Sequence, residues 1–370
     1  MKSAVSITLI LVFIFSVFPR VSAEEFDVTA SSAVLINVGG EIIWGKNENE
    51  KLPVASTTKI MTALLASETE NLYEDTPVSP EAIKVEGTSM GLKEGDRVSC
   101  YDLIVGMLLS SGNDAANEAA KRISGSLSAF SDLMNERAKE IGMKNTHFVT
   151  PSGLHHEEHY STAYDMALLG AASLENPLFR SVCSSKSITI SYGSPPYRRT
   201  LYNHNKLLTM GDGYIGIKTG YTKKAGRCLV SACEREGVVL IAVTLKASND
   251  WEEHQKLYDY GFSLLKEKTC PREEFSLRVY GGDKENLKVF SAEERFYFSG
   301  EEPIKKVFLP EGVYAPVKKG DKIGSVSYFS GDKEIYSAPI TAGEDIKAKE
   351  KAPSLFKRLI DFFCKIFKLE

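Results

Sequence analysis

The stretch ASTTKIMTALL, residues 55–65, joins a short polar start to a helical pattern that is apolar on nearly every side. Such a helix is predicted to be central and buried, because a surface helix keeps one polar face. Ser56 and Lys59 are three residues apart, so the helix places their hydroxyl and amine on one face. Burial disfavours an ammonium and leaves a lysine able to accept a proton. The stretch therefore predicts a nucleophile and a base in contact at the start of a buried helix.

The Ser-x-x-Lys pattern is weak by itself, because it occurs four times in the chain. The other copies begin at Ser263, Ser330 and Ser354, in contexts typical of residues that face solvent or a membrane. Two further motifs favour the first copy. Residues 111–113 interrupt two helical patterns and are the only Ser-x-Asn, and residues 218–220 end a predicted strand and are the only Lys-Thr-Gly.

The order Ser-x-x-Lys, Ser-x-Asn, Lys-Thr-Gly is that of penicillin-binding proteins and class A β-lactamases. With the stretches LLSSGNDAANEAA, TPSGLHHEEHYSTAYDMA and IKTGYTKKAGRCLV, the chain resembles the D-alanyl-D-alanine carboxypeptidases of the low-molecular-mass penicillin-binding proteins, serine peptidase family S11. The resemblance covers nearly all of residues 23–342. It implies a β-lactamase-like transpeptidase fold, peptidoglycan stem peptides as substrate and binding of β-lactam antibiotics. The SGN triplet and an additional β-rich domain favour a carboxypeptidase over a β-lactamase.

The resemblance also implies roles for the first two motifs. Ser56 attacks the carbonyl of the penultimate D-Ala as the acyl-enzyme nucleophile, and Lys59 takes its proton as the general base. Asn113 orients Lys59 and the substrate amide. Ser111 relays a proton to the leaving D-Ala amine. No carboxylate in the sequence is identified for the deacylation step.

The Lys-Thr-Gly strand is expected to bind the substrate. Lys218 and the Thr219 hydroxyl bind the terminal carboxylate, and Lys218 is also the cation that keeps the base neutral. Gly220 lets the strand backbone approach the ligand closely. The backbone amide of Tyr221, together with that of the nucleophile, forms the oxyanion hole.

The pattern of apolar residues predicts the architecture. Strands are predicted in a hairpin around Gly39-Gly40 and at 213–219, 227–233 and 238–246; helices are predicted at 57–67, 101–110, 115–123 and 250–266, with another capped by Ser161 or Thr162 and ending near Leu174. Strands at both ends of a helical middle predict an α/β (α+β) catalytic domain of helices and antiparallel sheet over residues 24–268. Short alternating runs between turns predict a small all-β domain over residues 271–345.

The two ends of the chain carry segments that predict export and membrane association. Residues 1–23 have a lysine, an apolar run and a small-residue cleavage site, which is typical of a secretory signal peptide. Residues 346–370 are predicted to form a basic linker and an amphipathic helix whose segment 355–369 binds a lipid surface. The mature protein is therefore expected on the outer face of the cytoplasmic membrane.

The charge balance excludes nucleic acid as a partner. The chain has 45 Lys and Arg against 49 Asp and Glu, a net charge of −4, without the basic excess that phosphate neutralisation needs. Its six cysteines have no spacing typical of a disulfide framework, and buried free thiols are predicted. Cys228 and Cys233 fall on opposite faces of one predicted strand, so they are not expected to bridge each other.

Two alternatives to a serine peptidase follow from the sequence. The stretch from His155 to His159 matches the H-x-x-E-H pattern of inverted zinc peptidases, but Pro151 and Gly153 place it in a loop where the helical spacing is not guaranteed. The other alternative is a catalytically silent wall-binding module, although every nucleophile, base and carboxylate-binding position is filled. The prediction is a serine mechanism without metal or cofactor.

Overall fold

The computed structural model describes residues 27–298 and 300–349. The predicted signal peptide 1–23, the predicted amphipathic segment 355–369 and Cys364 lie outside these ranges. Within the described ranges, the helices are too short or too polar to cross a membrane.

A five-stranded antiparallel sheet forms the centre of the first domain, in the order β2-β1-β9-β8-β7. Strands β3 and β4 form a separate short pair, and so do β5 and β6. The strands of this domain are β1 (Ser32–Asn37), β2 (Ile42–Lys46), β3 (Thr76–Pro77), β4 (Arg97–Val98), β5 (Ser187–Gly193), β6 (Pro196–Tyr202), β7 (Lys218–Thr222), β8 (Gly226–Arg235) and β9 (Val238–Ala247).

Two tight turns join neighbouring strands of this sheet. In the hairpin predicted between β1 and β2, which is confirmed, Gly40 has a φ of +84° and donates its N–H to the Asn37 carbonyl at 3.0 Å. Between β8 and β9, Glu236 and Gly237 have φ angles of +51° and +74°. Two consecutive positive φ angles match the right-handed twist of the paired strands. The first turn pairs β1 with β2 and the second pairs β8 with β9, while direct pairing of β1 with β9 puts β1, β9 and β8 at the middle of the sheet.

Helices cover both faces of the sheet. The helices are α1 (Lys59–Ser67), α2 (Cys100–Leu108), α3 (Asn113–Ser124), α4 (Leu127–Ile141), α5 (Ala163–Leu174), α6 (Pro177–Cys183) and α7 (Asp250–Ser263), with 3₁₀ helices at Ala55–Thr58 and Lys206–Thr209.

Alternating side chains of β1 show how the layers pack. Val34 and Ile36 join the main core, which contains residues of α1 and α5, whereas Leu35 joins a second cluster with Leu257 and Tyr258 of α7. Because successive side chains of a strand point to opposite faces, α5 and α7 lie on opposite sides of the sheet. All residues of α1 are buried, which confirms the central helix predicted from its apolar pattern.

The second domain consists of strands. They are β10 (Lys266–Cys270), β11 (Glu274–Tyr280), β12 (Asn286–Ser291), β13 (Glu294–Phe298), β14 (Ile304–Phe308), β15 (Gly312–Tyr314), β16 (Lys322–Ser330) and β17 (Lys333–Ala342). Six of these pair in the order β14-β16-β17-β12-β11-β15, and β10 pairs with β13. Leu287, Val289, Val326 and Ile340 are buried in its separate core, so the predicted all-β character of this domain is confirmed.

Two elements differ from the predicted bounds by three residues or more. The strand predicted at 213–219 begins only at Lys218, because Gly213, Gly216 and Ile217 all have positive φ angles, which an extended strand does not contain. The helix predicted at 250–266 ends at Ser263, and the chain then enters β10 of the second domain.

The turn between β16 and β17 contacts the first domain, and the sequence did not predict this contact. Ser330 was expected to face solvent, but it is buried and accepts a hydrogen bond from Asn37 Nδ2 at 3.1 Å. Lys333 forms an ion pair with Glu175 of the first domain. The expectation for Ser330 was wrong because the junction joins residues almost 300 positions apart in the sequence.

The described cysteines are buried free thiols, as predicted: Cys100, Cys183, Cys228, Cys233 and Cys270. Cys228 belongs to the main core and Cys233 to the cluster around α7, so the two lie on opposite faces of β8. The prediction that they do not bridge each other is confirmed.

Candidate active site

The first motif lies where a 3₁₀ helix runs into α1. Ala55 has a φ of +48°, and the Thr57 hydroxyl donates to the Val54 carbonyl at 2.6 Å, which fixes the sharp entry of the chain. Ser56 follows this bend and is half-buried, whereas Lys59 at the start of α1 is fully buried. The entry thus leaves the serine at the wall of a cavity and takes the lysine inside.

Lys59 is bound by three acceptors. Its Nζ donates to Ser56 Oγ at 3.0 Å, to Asn113 Oδ1 at 2.6 Å and to the Ser152 carbonyl at 2.7 Å. The charged amine can donate to all three, whereas the neutral amine keeps two N–H donors for Asn113 and Ser152 and turns its lone pair to the Ser56 hydroxyl, so these contacts fix it in one place. The structure therefore brings together Ser56, Lys59 and Asn113 from two of the three predicted motifs.

The electrostatic surroundings favour a neutral Lys59. Burial lowers the pKa of Lys59 well below its usual value, and the nearby Lys218 ammonium lowers it further, while Asp114 opposes both effects. A buried lysine loses charge because desolvation penalises the ammonium. A neutral amine 3.0 Å from the Ser56 hydroxyl can accept its proton.

The second motif forms a strained turn between α2 and α3. Ser111 has a φ of +60°, and Gly112 donates its N–H to the Gly106 carbonyl at 3.0 Å. Asn113 is the first residue of α3, and its Nδ2 donates to the Glu86 carbonyl at 2.6 Å. That bond orients the Asn113 amide so that its oxygen faces Lys59.

Asp114 holds a loop over this turn. Its carboxylate is buried and accepts hydrogen bonds from the backbone N–H groups of Met90, Gly91 and Leu92 and from the Ser89 hydroxyl. A carboxylate with this many donors is well compensated for its burial. Asp114 therefore fixes the loop of residues 89–92 against the turn that carries Asn113.

The third motif runs along the edge strand β7. Lys218 is 1% exposed, and its Nζ donates to the Thr219 carbonyl at 2.8 Å. Burial lowers the pKa of Lys218 to about 7. A Cβ at Gly220 would lie 3.0 Å from the backbone nitrogen of Ser56, so the absence of a side chain there allows β7 to approach the serine.

The three motifs open into one cavity of about 590 Å³. Thr219 and Tyr221, which alternate with Gly220 along β7, point into or beside it, and Tyr221 is 66% exposed. The residues around the cavity are Ser56, Thr88, Ser111, His204, Thr219, Gly220, Tyr221, Arg227, Asp250 and Trp251. Lys59 and Asn113 lie behind this surface, where Lys59 contacts both Ser56 and Asn113.

Part of the cavity wall was missed by sequence reasoning. Arg227 on β8 donates its Nε to Asp250 Oδ1 at 2.9 Å, and its guanidinium lies 5.7 Å from the Trp251 ring centroid. Asp250 and Trp251 begin α7, so strand β8 and the helix make this wall together. The only sequence signal for this wall was a cation, Arg227, shortly after the Lys-Thr-Gly motif. That signal does not indicate that α7 completes the wall.

The histidine loop does not form a metal site. His155 is exposed and contacts Glu157 at 3.0 Å and Lys224 Nζ at 3.1 Å, whereas His159 is buried against the Thr58 hydroxyl at 2.8 Å. Over the described residues, no group of three or more His, Cys, Asp or Glu side chains is placed to hold a metal ion. The zinc-peptidase alternative therefore receives no support from this loop.

A serine at the start of a buried helix, a neutral lysine beside it and a Lys-Thr-Gly edge strand define an acyl-transferring serine enzyme of the penicillin-binding class. Residues 19–249 match the family model described as D-alanyl-D-alanine carboxypeptidase, and residues 266–348 match that of the penicillin-binding protein 5 C-terminal domain. The chain belongs to this D-alanyl-D-alanine carboxypeptidase family, the S11 serine peptidases.

Individual relatives span nearly the whole chain. D-alanyl-D-alanine carboxypeptidase DacF of Bacillus subtilis is 30% identical over 94% of this chain and 95% of its own length. The corresponding values for DacC of Escherichia coli are 31%, 95% and 92%. The crystal structure of penicillin binding protein 5 from Haemophilus influenzae is similar with a TM-score of 0.63 and 28% identity, and it covers 87% of this chain and 98% of that one. The predicted two-domain architecture and family are confirmed.

Proposed function

We propose that Ser56 is the acyl-enzyme nucleophile of this serine-type D-alanyl-D-alanine carboxypeptidase and that Lys59 is its general base. The observation that carries this assignment is the 3.0 Å contact between Lys59 Nζ and Ser56 Oγ at the wall of the cavity. The two other described Ser-x-x-Lys copies lack such a setting, because Ser263 donates to the Tyr260 carbonyl at the end of α7 and Ser330 lies in the domain junction.

Acylation begins when Lys59 accepts the Ser56 proton. The Ser56 oxygen then forms a bond to the carbonyl carbon of the penultimate D-Ala, and the backbone N–H groups of Ser56 and Tyr221 stabilise the negative charge on the carbonyl oxygen. The bond to the terminal D-Ala nitrogen breaks, and Ser111 relays to that nitrogen the proton that Lys59 took from Ser56, which returns Lys59 to its neutral form. D-Ala leaves, and the peptide remains as an ester on Ser56.

Deacylation uses water and the same base. Among the described residues around the cavity, Asp250 is the carboxylate, and it is bonded to Arg227. Lys59 already contacts the oxygen that carries the acyl group, so it takes a proton from the attacking water and returns one to Ser56. Asn113 keeps Lys59 in place through both steps.

The terminal carboxylate of the substrate binds beside the Lys-Thr-Gly strand. Thr219 lines the cavity and donates its hydroxyl to the carboxylate. Lys218 supplies positive charge, because its Nζ lies 3.5 Å from the Thr219 hydroxyl. A bound carboxylate favours the charged form of Lys218, whose pKa is about 7 without a ligand. The Arg227 guanidinium lines the same cavity.

Release of D-Ala from a defined peptide tests this function. A diacylated peptide that ends in D-Ala-D-Ala should lose one D-Ala per molecule, as measured by mass spectrometry of the product. The matched control peptide ends in D-Ala-D-Ala-amide, which lacks the carboxylate, and its turnover should be lower by about tenfold or more because a charged hydrogen bond is lost. Equal turnover of the two peptides would contradict carboxylate recognition by this site.

β-Lactam antibiotics enter the same cavity. Their strained amide carbonyl takes the position of the D-Ala carbonyl, and their carboxylate takes that of the terminal D-Ala. Attack by Ser56 opens the ring and gives a covalent adduct, which blocks the carboxypeptidase reaction.

The mature enzyme, without residues 1–23, acts at the outer face of the cytoplasmic membrane, held there by residues 355–369. This proposal rests on the sequence: nine apolar residues share one half of the predicted helix and five charged residues share the other. The domain limits 24–268, 271–345 and 346–370 belong to the same proposal.

Truncation tests the anchor. The described fold ends at Lys349, whose N–H donates to the Gly281 carbonyl at 2.8 Å, so removal of the residues after Lys351 keeps every described contact. The truncated protein should retain its D-Ala release and move from the membrane fraction to the soluble fraction. A full-length variant with Phe362→Ser and Phe363→Ser should move in the same direction to a lesser extent. Unchanged membrane association of the truncated protein would overturn the anchor.

A further inference from the structure

His159 is a buried histidine that is hydrogen-bonded at both ring nitrogens. It is 4% exposed, and its Nδ1 accepts from the backbone N–H groups of Val149 at 3.0 Å and Thr150 at 3.3 Å. A nitrogen that accepts hydrogen bonds carries no proton, so the ring proton lies on Nε2. Nε2 therefore donates to the Thr58 hydroxyl, 2.8 Å away. The two contacts fix one neutral tautomer.

These bonds join two segments of the active site. Thr58 belongs to the 3₁₀ helix that also carries Ser56. Val149 and Thr150 begin the segment 149–153, which we call the base loop because the Ser152 carbonyl accepts a hydrogen bond from Lys59. His159 is thus a bridge between the helix of the nucleophile and the loop that holds the base.

Two further contacts hold the base loop against α1 and the 3₁₀ helix that precedes it. The Pro151 carbonyl accepts a hydrogen bond from the Thr62 hydroxyl at 2.6 Å. Gly153 has a φ of +78°, and a Cβ at this position would overlap the Ala55 carbonyl oxygen. Because Gly153 packs this closely against Ala55, neighbouring residues cannot compensate for a displacement of the base loop. A small shift of the loop therefore moves the Ser152 carbonyl relative to Lys59.

We propose that neutral His159 is a positioning residue that holds the base loop against the nucleophile helix and thereby keeps Lys59 aligned with Ser56. The proposal rests on the roles of Ser56 and Lys59 given above. His159 itself lies behind the site and does not line the cavity. Its effect on catalysis acts through the Ser152 carbonyl.

Protonation would break the bridge. A proton on Nδ1 would face the donor N–H groups of Val149 and Thr150, so the charged ring cannot keep both contacts. Burial is the main cause that lowers the pKa of His159 to about 4, and the nearby imidazoles of His147, His156 and His155 contribute to the same shift. Lys59 is the titratable group on the opposing helix, and Phe148 presents an uncharged ring at 5.7 Å.

The lowered pKa has a consequence for stability. The unfolded chain binds a proton at a histidine below a pH of about 6.5, whereas folded His159 binds it only near pH 4. The neutral bridge therefore contributes its full stability above pH 6.5, and this contribution is lost as the pH falls from 6.5 to 4. A residue without a titrating side chain at position 159 should remove this part of the pH dependence.

The test compares His159→Ala, His159→Gln and Thr58→Val with His147→Ala as the matched control. His147 is in the same region, but its ring contacts the Glu158 carbonyl at 2.7 Å and does not reach the 3₁₀ helix. Titration with penicillin gives the active fraction of each full-length variant, so misfolded protein is excluded from the rates. The kcat and KM for D-Ala release, the penicillin acylation rate and urea unfolding between pH 7 and 4 are then measured.

For His159→Ala we expect kcat to fall by about 10²-fold, which is the effect of a small misplacement of catalytic groups. KM should stay within about twofold, because the cavity residues of β7 are unchanged. Thr58→Val should reduce kcat less, and the double variant should be no slower than His159→Ala, because both changes break one bridge. His159→Gln keeps a donor for Thr58, so it should recover part of kcat and show a flatter pH dependence of unfolding. His147→Ala should match the wild type.

The proposal is overturned if kcat per active site is unchanged in His159→Ala, or if the effects of His159→Ala and Thr58→Val multiply fully in the double variant. Either result is distinguishable from failure of the proposed function. Failure of the proposed function would instead appear as acylation of Ser56→Ala by penicillin, whatever residue occupies position 159.

Discussion

Replacement of Ser56 by alanine should abolish both penicillin labelling and D-Ala release. Ser56 supplies the oxygen that becomes acylated, and removal of the nucleophile of a serine peptidase lowers kcat on the order of 10⁶-fold. The fold should persist, because a single hydroxyl is lost at the cavity wall and Lys59 keeps its bonds to Asn113 and Ser152. Fluorescent penicillin, a D-Ala release assay and circular dichroism measure the three outcomes.

Ser263→Ala is the matched control for this variant, since Ser263 begins another Ser-x-x-Lys copy and its exposed hydroxyl donates only to the Tyr260 carbonyl. It should retain wild-type labelling. Robust acylation of Ser56→Ala would show that the nucleophile lies elsewhere and would remove the basis of the proposed mechanism.

Replacement of Lys59 by alanine should nearly match the loss of Ser56. The variant removes the base 3.0 Å from Ser56 Oγ, and loss of the base of a serine peptidase costs about as much kcat as loss of its nucleophile, on the order of 10⁶-fold. The double variant Ser56→Ala/Lys59→Ala should be little worse than either single one, because residues that act as a unit lose activity non-additively. Stopped-flow acylation by penicillin measures these rates.

Lys266→Ala serves as the control, because Lys266 is the lysine of an exposed Ser-x-x-Lys copy and its Nζ donates to the Gly300 carbonyl. In the wild type, acylation should fall as the pH decreases, since protonated Lys59 cannot accept the serine proton. This fall should begin well below the usual pKa of lysine, because burial and Lys218 lower that of Lys59. Acylation of Lys59→Ala at the wild-type rate would exclude Lys59 as the base.

Sequence reasoning predicted the parts of the site that depend on local spacing. The three-residue interval between Ser56 and Lys59 is sufficient to bring their side chains together, since the helical turn fixes their relation. The buried helix and the central strands follow from apolar periodicity. The motif order then placed Asn113 against Lys59, although 54 positions separate them.

Local sequence patterns could not predict the contacts that depend on tertiary packing. Arg227 pairs with Asp250 because β8 and α7 lie side by side at the cavity, and no local sequence pattern indicates that they do. Ser330 is buried by a domain junction for the same reason. β7 starts later than predicted because the residues before it have positive φ angles. A positive φ at a non-glycine residue such as Ile217 cannot be predicted from the sequence.

The histidine loop shows how a correct pattern can mislead. The spacing of His155 and His159 fits a metal-binding helix, but the loop directs the first toward Lys224 and buries the second against Thr58. Hydrogen bonding at both nitrogens of His159 gives this residue a different use, which is to connect the base loop to the nucleophile helix.

Peptide mapping of the penicillin-treated wild-type protein tests the central claim most directly. Intact-mass analysis should show one penicilloyl group per chain, and after trypsin digestion that group should lie on the peptide of residues 52–59, which contains Ser56. The same adduct should be absent from Ser56→Ala. A penicilloyl group on a peptide without Ser56, or a folded wild-type protein that takes up none, would contradict the account.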